Sequence, residues 1–229
     1  MGKLIVIEGT DGSGKSTQFK LLTSRLEAEN RSFQKLVFPQ YAEPSSALIR
    51  MYLGGEFGTK PSDVNAYAAS AFYAVDRYAG YKADWGKFYE EGGILIADRY
   101  TTSNAVHQCS KLPAEQWNGF IEWLYDYEFG KLGIPAPDGV IYLSVDVEVS
   151  QKLMSGRYQG DESKKDVHEK DLEYLARSRA AAGWCAQNLG WKQVTCTRDG
   201  AMRGIQDIHE EVLTLTQQIL QQAEEIANG

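Results

Sequence analysis

Gly9-Thr10-Asp11-Gly12-Ser13-Gly14-Lys15-Ser16 has the spacing G-x-x-x-x-G-K-[ST] and runs on into Thr17. Glycines at these positions let the backbone curl until several N–H groups point inward at an anion. Lys15 adds a cation at the β- and γ-phosphates, Ser16 offers a hydroxyl to Mg²⁺, and the following helix adds the positive end of its dipole. A chance glycine-rich turn would not need the setting this one has. The apolar run Leu4-Ile5-Val6-Ile7 precedes it, and Phe19, Leu21, Leu22 and Leu26 follow at helical spacing. The segment predicts binding of a nucleoside triphosphate with Mg²⁺.

A second group of residues speaks to what receives the phosphate. Asp98-Arg99-Tyr100 follows the apolar run at 94–97, which places it at the carboxyl edge of a strand, where open α/β sheets bind ligands. Asp98 could orient Mg²⁺ and Arg99 could clamp a phosphate through its planar fork; a structural ion pair at a strand end fits the same residues. Tyr73 and Arg77 stand four apart on a helical stretch, hence on one face. An aromatic ring to stack and a fork of donors to read a carbonyl would suit a nucleobase, although core packing for the tyrosine and a paired charge for the arginine suit the periodicity as well. No N-K-x-D guanine-reading segment is present, so a GTPase switch is disfavoured.

These residues must be held by an alternation of strands and helices. Strands are predicted at 4–7, 33–38, 94–97, 139–143 and 192–196. Helices are predicted at 16–29, 47–53, 64–89 (with Ser62 as its cap), 102–108, 114–129, 147–154, 166–188 and 205–226. This order implies an α/β fold with a parallel, about five-stranded sheet covered by helices on both faces. The 229 residues, 43% hydrophobic and 24% charged, are enough for one self-sufficient domain over 1–229. A net charge of −7 argues against nucleic-acid and anionic-membrane partners. Three cysteines without metal-ligand spacing, and no long apolar run or leader-like start, predict a cytoplasmic protein.

Taken together, the cradle of Gly9 to Thr17, Phe38-Pro39 after the second strand, Ala74 to Arg77 (A-x-D-R) and Asp98 to Ser103 (D-R-Y with a following serine) make the chain similar to the thymidylate kinases along essentially its whole length. The resemblance implies a P-loop kinase fold with a lid and transfer of the ATP γ-phosphate to dTMP. It implies that Asp11 accepts a hydrogen bond from the acceptor sugar, that Tyr73 stacks on thymine and Arg77 reads its carbonyl, and that Arg99 holds the acceptor phosphate with Asp98 near the metal. Phe38, Pro39, Tyr100, Ser103, Asn104, His107 and Gln108 would line the acceptor pocket; helix capping or a solvated face would equally account for Ser103, Asn104 and Gln108. A homodimer is also implied.

The polar stretch at about 155–165 corresponds to the family's lid, and because Gly12 supplies no cation in the cradle, Arg157, Lys164 and Lys165 become the candidates for the catalytic one. Arg157 could instead stack on adenine, and a merely solvated charged loop would read the same way. Two departures stand out. Tyr41 follows Phe38-Pro39-Gln40 where a phosphate-positioning arginine or glycine is usual, which points to Arg50 as a displaced cation, and His107 stands where the family often has tyrosine or phenylalanine. The rival readings are a kinase for another nucleoside monophosphate or deoxynucleoside, and a regulatory protein that binds ATP with slow turnover.

Overall fold

Leu4 and Val6 face one apolar layer while Ile5 and Ile7 face the other, and all four are fully buried. Successive side chains of a strand alternate faces, so a run apolar at every position fits only a strand covered on both sides. This strand, β1 (Lys3–Glu8), lies at the centre of a five-stranded sheet. Its companions are β2 (Phe33–Val37), β3 (Ile94–Asp98), β4 (Gly139–Ser144) and β5 (Lys192–Thr195), in the spatial order β2-β3-β1-β4-β5. All four pairings are parallel. The computed structural model describes residues 1–157 and 171–228.

The helices are α1 (Lys15–Ala28), α2 (Ala47–Leu53), α3 (Ala66–Gly80), α4 (Gly86–Glu90), α5 (Thr101–Cys109), α6 (Trp117–Tyr125), α7 (Val147–Arg157), α8 (Leu172–Asn188) and α9 (Ile205–Asn228). One sheet face is covered by α1 and α9 through Phe19, Leu22, Leu26, Ile208 and Val212. The other is covered by α5, α6 and α8 through Ala105, Val106, Phe120, Leu124, Ala181 and Cys185.

The parallel register brings the chemistry to one edge. Ile7 pairs with Asp98, and Val37 pairs with Asp98 on its other side. The cradle after β1, Asp98-Arg99 after β3 and Phe38 after β2 therefore emerge at one level.

Three local expectations need correction. The helix expected at 64–89 is capped by Asn65, whose side-chain oxygen accepts from the Ala68 N–H at 2.9 Å; Ser62 belongs to a short 3₁₀ turn, Pro61–Asp63. The same stretch is broken by a π-helical turn at Tyr81–Trp85, and the helix expected at 114–129 ends in another at Asp126–Lys131. A short antiparallel hairpin, β6 (Thr197–Arg198) with β7 (Ala201–Met202), precedes α9 and has no counterpart in the expected elements.

Candidate active site

Two glycines shape the loop between β1 and α1. Gly12 and Gly14 have φ of 76° and 81°, the left-handed region that side chains with a Cβ avoid. Gly14 caps α1 without any side-chain acceptor, so the first N–H groups of the helix are not closed off by a cap. The Ser13 hydroxyl is buried within the loop and has no hydrogen-bond partner there. A loop that buries a donor without a protein acceptor fits an anion, because an unpaired buried polar group is costly.

Lys15 is 8% exposed, and its ammonium group contacts the Asp98 carboxylate. Burial, reinforced by the positive charge of Arg99, pulls the Lys15 pKa down, while Asp98 works against that shift. Ser16 and Thr17 line the same cavity from exposed positions. The Ser16 hydroxyl and the Asp98 carboxylate are hard oxygen donors. Among the described residues no cluster of three or more metal-ligating side chains exists. That donor set fits Mg²⁺, which keeps most of its ligands as phosphate and water oxygens.

Arg99 takes a left-handed backbone conformation, φ 69°, where non-glycine residues are strained. Its guanidinium lies between several partners: Nη2 donates to Asp11 Oδ1 at 3.1 Å and Nη1 reaches His107 Nε2 at 3.2 Å. The Glu8 carboxylate lies 3.9 Å away. Burial opposes the Arg99 charge, but Asp11, Glu8 and Asp98 together outweigh it and raise the pKa. Glu8 itself is buried and accepts from the Gly9 N–H at 2.9 Å and from the Thr102 and Ser103 hydroxyls at 2.7 Å each. It therefore ties the start of the cradle to the start of α5.

Further along the cavity, Arg77 is fully buried and makes a fork-to-carboxylate pair with Glu128: Nε to Oε2 at 2.7 Å and Nη2 to Oε1 at 2.5 Å. Thr101 Oγ1 donates to the same carboxylate at 2.7 Å and Asn104 Nδ2 at 3.1 Å. Tyr73, on the same face of α3, packs beside Tyr52, Val64 and Ala69. Phe38 and Tyr100 are buried, 5.9 Å apart between ring centres, and the Tyr100 hydroxyl donates to the Pro135 carbonyl oxygen at 2.9 Å. Gln108 turns a buried side-chain oxygen toward this region with no partner.

One cavity of about 830 Å³ runs past the cradle, Asp98, Arg99, Tyr73 and Arg77. Of the residues marked out in the sequence, Thr10 to Thr17, Phe38, Pro39, Tyr73, Arg77, Asp98 to Tyr100, Ser103, Asn104, His107 and Gln108 line it, whereas Gly9 does not. Val37, Tyr41, Leu53, Leu153, Tyr174 and Leu175 line it as well and were not expected.

Arg50 is a correction. Its Nη1 donates to the carbonyl oxygens of Tyr41 at 2.7 Å and Glu43 at 3.1 Å, so it braces the turn after β2 and does not line the cavity. Arg157 ends α7, one turn beyond the expected helix end, but its side chain, like Lys164 and Lys165, lies outside the described residues. Glu8 and Glu128 were missed. Glu8 could have been noticed as a charge closing an apolar strand; Glu128 sits in an ordinary mixed stretch and gives no such signal.

Comparison with known proteins agrees with this geometry. Residues 7–212 match the family model described as thymidylate kinase. A thymidylate kinase of Mycobacterium tuberculosis is 34% identical over 191 residues, covering 79% of this chain and 87% of that protein. A human thymidylate kinase is 25% identical over 224 residues, covering 98% and 94%. In fold, the chain superimposes on the solved structure of a thymidylate kinase from Candida albicans with a TM-score of 0.69, 21% identity, and coverage of 95% and 92%. With a glycine-rich cradle opening into a cavity that Arg77 and Arg99 also line, and a family match over most of its length, the chain belongs to the thymidylate kinase family of nucleoside monophosphate kinases.

Proposed function

We propose that this chain transfers the γ-phosphoryl group of ATP to dTMP, giving dTDP and ADP, in one direct step. The observation that carries the reading is the single cavity running from the cradle to Tyr73, Arg77 and Asn104, with Asp11 and Arg99 at its middle. A donor phosphate in the cradle and an acceptor phosphate on Arg99 would meet there.

Positioning and charge neutralisation are what phosphoryl transfer demands of a protein. The phosphate oxygen of dTMP is already a competent nucleophile, so no general base is required. The cradle N–H groups and Lys15 hold the donor phosphates, and a phosphate entering there competes with Asp98 for the Lys15 ammonium group. Arg99, held charged by Asp11, Glu8 and Asp98, takes the acceptor phosphate. Ser16 and Asp98 would hold Mg²⁺, which when bound screens the charge on the transferring group. Arg157, Lys164 and Lys165 remain the candidates for the cation that closes over the transfer.

The reading extends to one domain over 1–229, a homodimer and the cytoplasm. Tyr67, Val75 and Tyr78, exposed on α3, support a partner surface. Among the described residues no helix is long and apolar enough to cross a membrane.

A coupled assay for ADP over a panel of nucleoside monophosphates tests the function. Rapid ADP release with dTMP and little without an acceptor is expected; release that ignores the acceptor would sink the reading.

A further inference from the structure

Glu128 is a buried carboxylate whose acceptor positions are taken up by residues of two other elements, so that three elements meet at it. Arg77 comes from α3, Thr101 and Asn104 come from the first turn of α5, and Glu128 itself sits in the π-helical turn after α6. Four bonds converge on it: two from the Arg77 fork, one from the Thr101 hydroxyl and one from the Asn104 amide. Thr101 and Glu128 do not line the cavity, whereas Arg77 and Asn104 do.

The bonds decide what the two lining residues can offer a ligand. Asn104 Nδ2 donates to Glu128 Oε1 and to the Ser70 carbonyl oxygen, each at 3.1 Å. Both partners are pure acceptors, so the amide nitrogen must face them, and the polar atom left to Asn104 is its carbonyl oxygen, an acceptor. Arg77 spends Nε and Nη2 on Glu128, which leaves the Nη1 side, with its long 3.4 Å contact to the Tyr100 carbonyl oxygen, as the donor edge. One turn along α5 from Asn104, the buried Gln108 oxygen adds a second acceptor that has no protein partner. The base end thus presents a donor beside acceptors. A base with a carbonyl next to a ring N–H, as in thymine, matches this pattern; cytosine offers an amino group next to a bare ring nitrogen and meets donor with donor.

We infer that Glu128 is a positioning residue that sets this donor and acceptor pattern, and through it the preference for a thymine-type base over a cytosine-type base. The inference rests on the dTMP reading above. Glu128 acts through Arg77 and Asn104 and touches no substrate. A neutral amide in its place cannot do the same work. Whichever way it turns, its N–H₂ meets either Arg77 Nε or Arg77 Nη2, donor against donor, so the fork opens and the donor edge moves.

The test compares wild type with Glu128→Gln for kcat and KM toward dTMP, dCMP and ATP, with a melting curve for each protein. The KM for dTMP should rise about ten- to a hundredfold, the loss of one charge-assisted hydrogen bond's worth of alignment, with the KM for ATP unchanged. The preference for dTMP over dCMP should narrow by a similar factor, and kcat should change less than KM. A lower melting temperature with wild-type KM and wild-type preference overturns the inference, because Glu128 would then serve stability alone. Should Glu128→Gln fail to fold, Glu128→Asp keeps the charge but draws it back by one methylene. It must move KM and preference in the same direction, and wild-type values overturn the inference. A wild-type enzyme that prefers another base defeats the substrate reading first, and the inference with it, before any variant is measured.

Discussion

The Arg99 guanidinium approaches Nε2 of His107 at 3.2 Å, and because arginine can only donate, that contact assigns the imidazole's tautomer. Nε2 must carry the lone pair and Nδ1 the proton, which faces the Tyr174 hydroxyl at 3.3 Å. The Tyr174 ring lies nearly parallel to that of His107, 17° between planes with ring centres 6.2 Å apart, and stands near the start of α8. A neutral histidine therefore links Arg99 to α8.

The first prediction concerns pH. Burial pushes the His107 pKa down, with Arg99 adding to the effect, to about 4. An unfolded histidine titrates at about 6.5, so between those values the unfolded chain binds the extra proton and stability grows with pH. The contribution is complete above about pH 6.5, declines as pH falls, and levels near about 4. Urea unfolding across that window, wild type against His107→Gln, should show a shallower decline in the variant. His209, also shifted down by burial, keeps its own share in both proteins, so only the difference is diagnostic. Identical slopes would mean that His107 is not the group.

Arg77→Ala is expected to cost stability as well as dTMP binding. It leaves the Glu128 carboxylate, 0% exposed, without its countercharge, and stranding one partner of a buried pair costs about 3–5 kcal/mol. Chemical denaturation of Arg77→Ala, Glu128→Ala and the double variant should give a double loss smaller than the two single losses added together, by about 1–3 kcal/mol. Strict additivity would contradict the pair as described.

For Lys15→Ala, kcat should fall at least about 10²–10³-fold, the scale seen when one preorganised donor to a developing charge is removed. The fold should survive, since Lys15 lines the cavity and belongs to neither apolar layer of the sheet. Near-normal turnover with a normal melting curve would show the nucleotide site to be elsewhere.

Gly12→Ala should damage the ATP end selectively. A Cβ there would come within 2.7 Å of the Ser150 carbonyl oxygen, at a φ of 76°. The left-handed conformation alone costs a non-glycine residue about 1–2 kcal/mol. The KM for ATP should rise with a smaller change for dTMP; equal kinetics for both substrates in the variant would refute the expected strain.

The last prediction concerns the stretch at about 155–165, expected from the sequence to be the lid. Gly12 brings no charge to the cradle, so at least one of Arg157→Ala, Lys164→Ala and Lys165→Ala should lower kcat with little change in either KM, the mark of a contact made mainly in the transition state. Comparable arginine contacts elsewhere are worth about 10³–10⁵ in rate, and a lysine, without the planar fork, less. Near-normal kcat in all three and in the triple variant would remove the lid cation. Arg50 donates through Nη1 to the Tyr41 and Glu43 carbonyl oxygens and does not line the cavity.

What could be read without the fold was whatever is local. The run from Leu4 to Ile7 is apolar at every position because both faces of β1 are covered, and Gly12 and Gly14 are glycines because the loop turns left-handed there. With Lys15 and Ser16 after them, they mark out a strand and a phosphate cradle. The D-R-Y segment could be placed at a strand end for the same reason, since a period change from strand to helix is visible in the sequence. Only the tertiary structure decided how the charges pair. Arg77 and Glu128 are separated by 51 residues, Lys15 and Asp98 by 83, and Arg99 and Asp11 by 88. No periodicity connects such positions; the parallel register of β1 with β3 and the π-helical turn after α6 bring them together, and whether a charge is a solvated tip or a buried partner depends on that meeting.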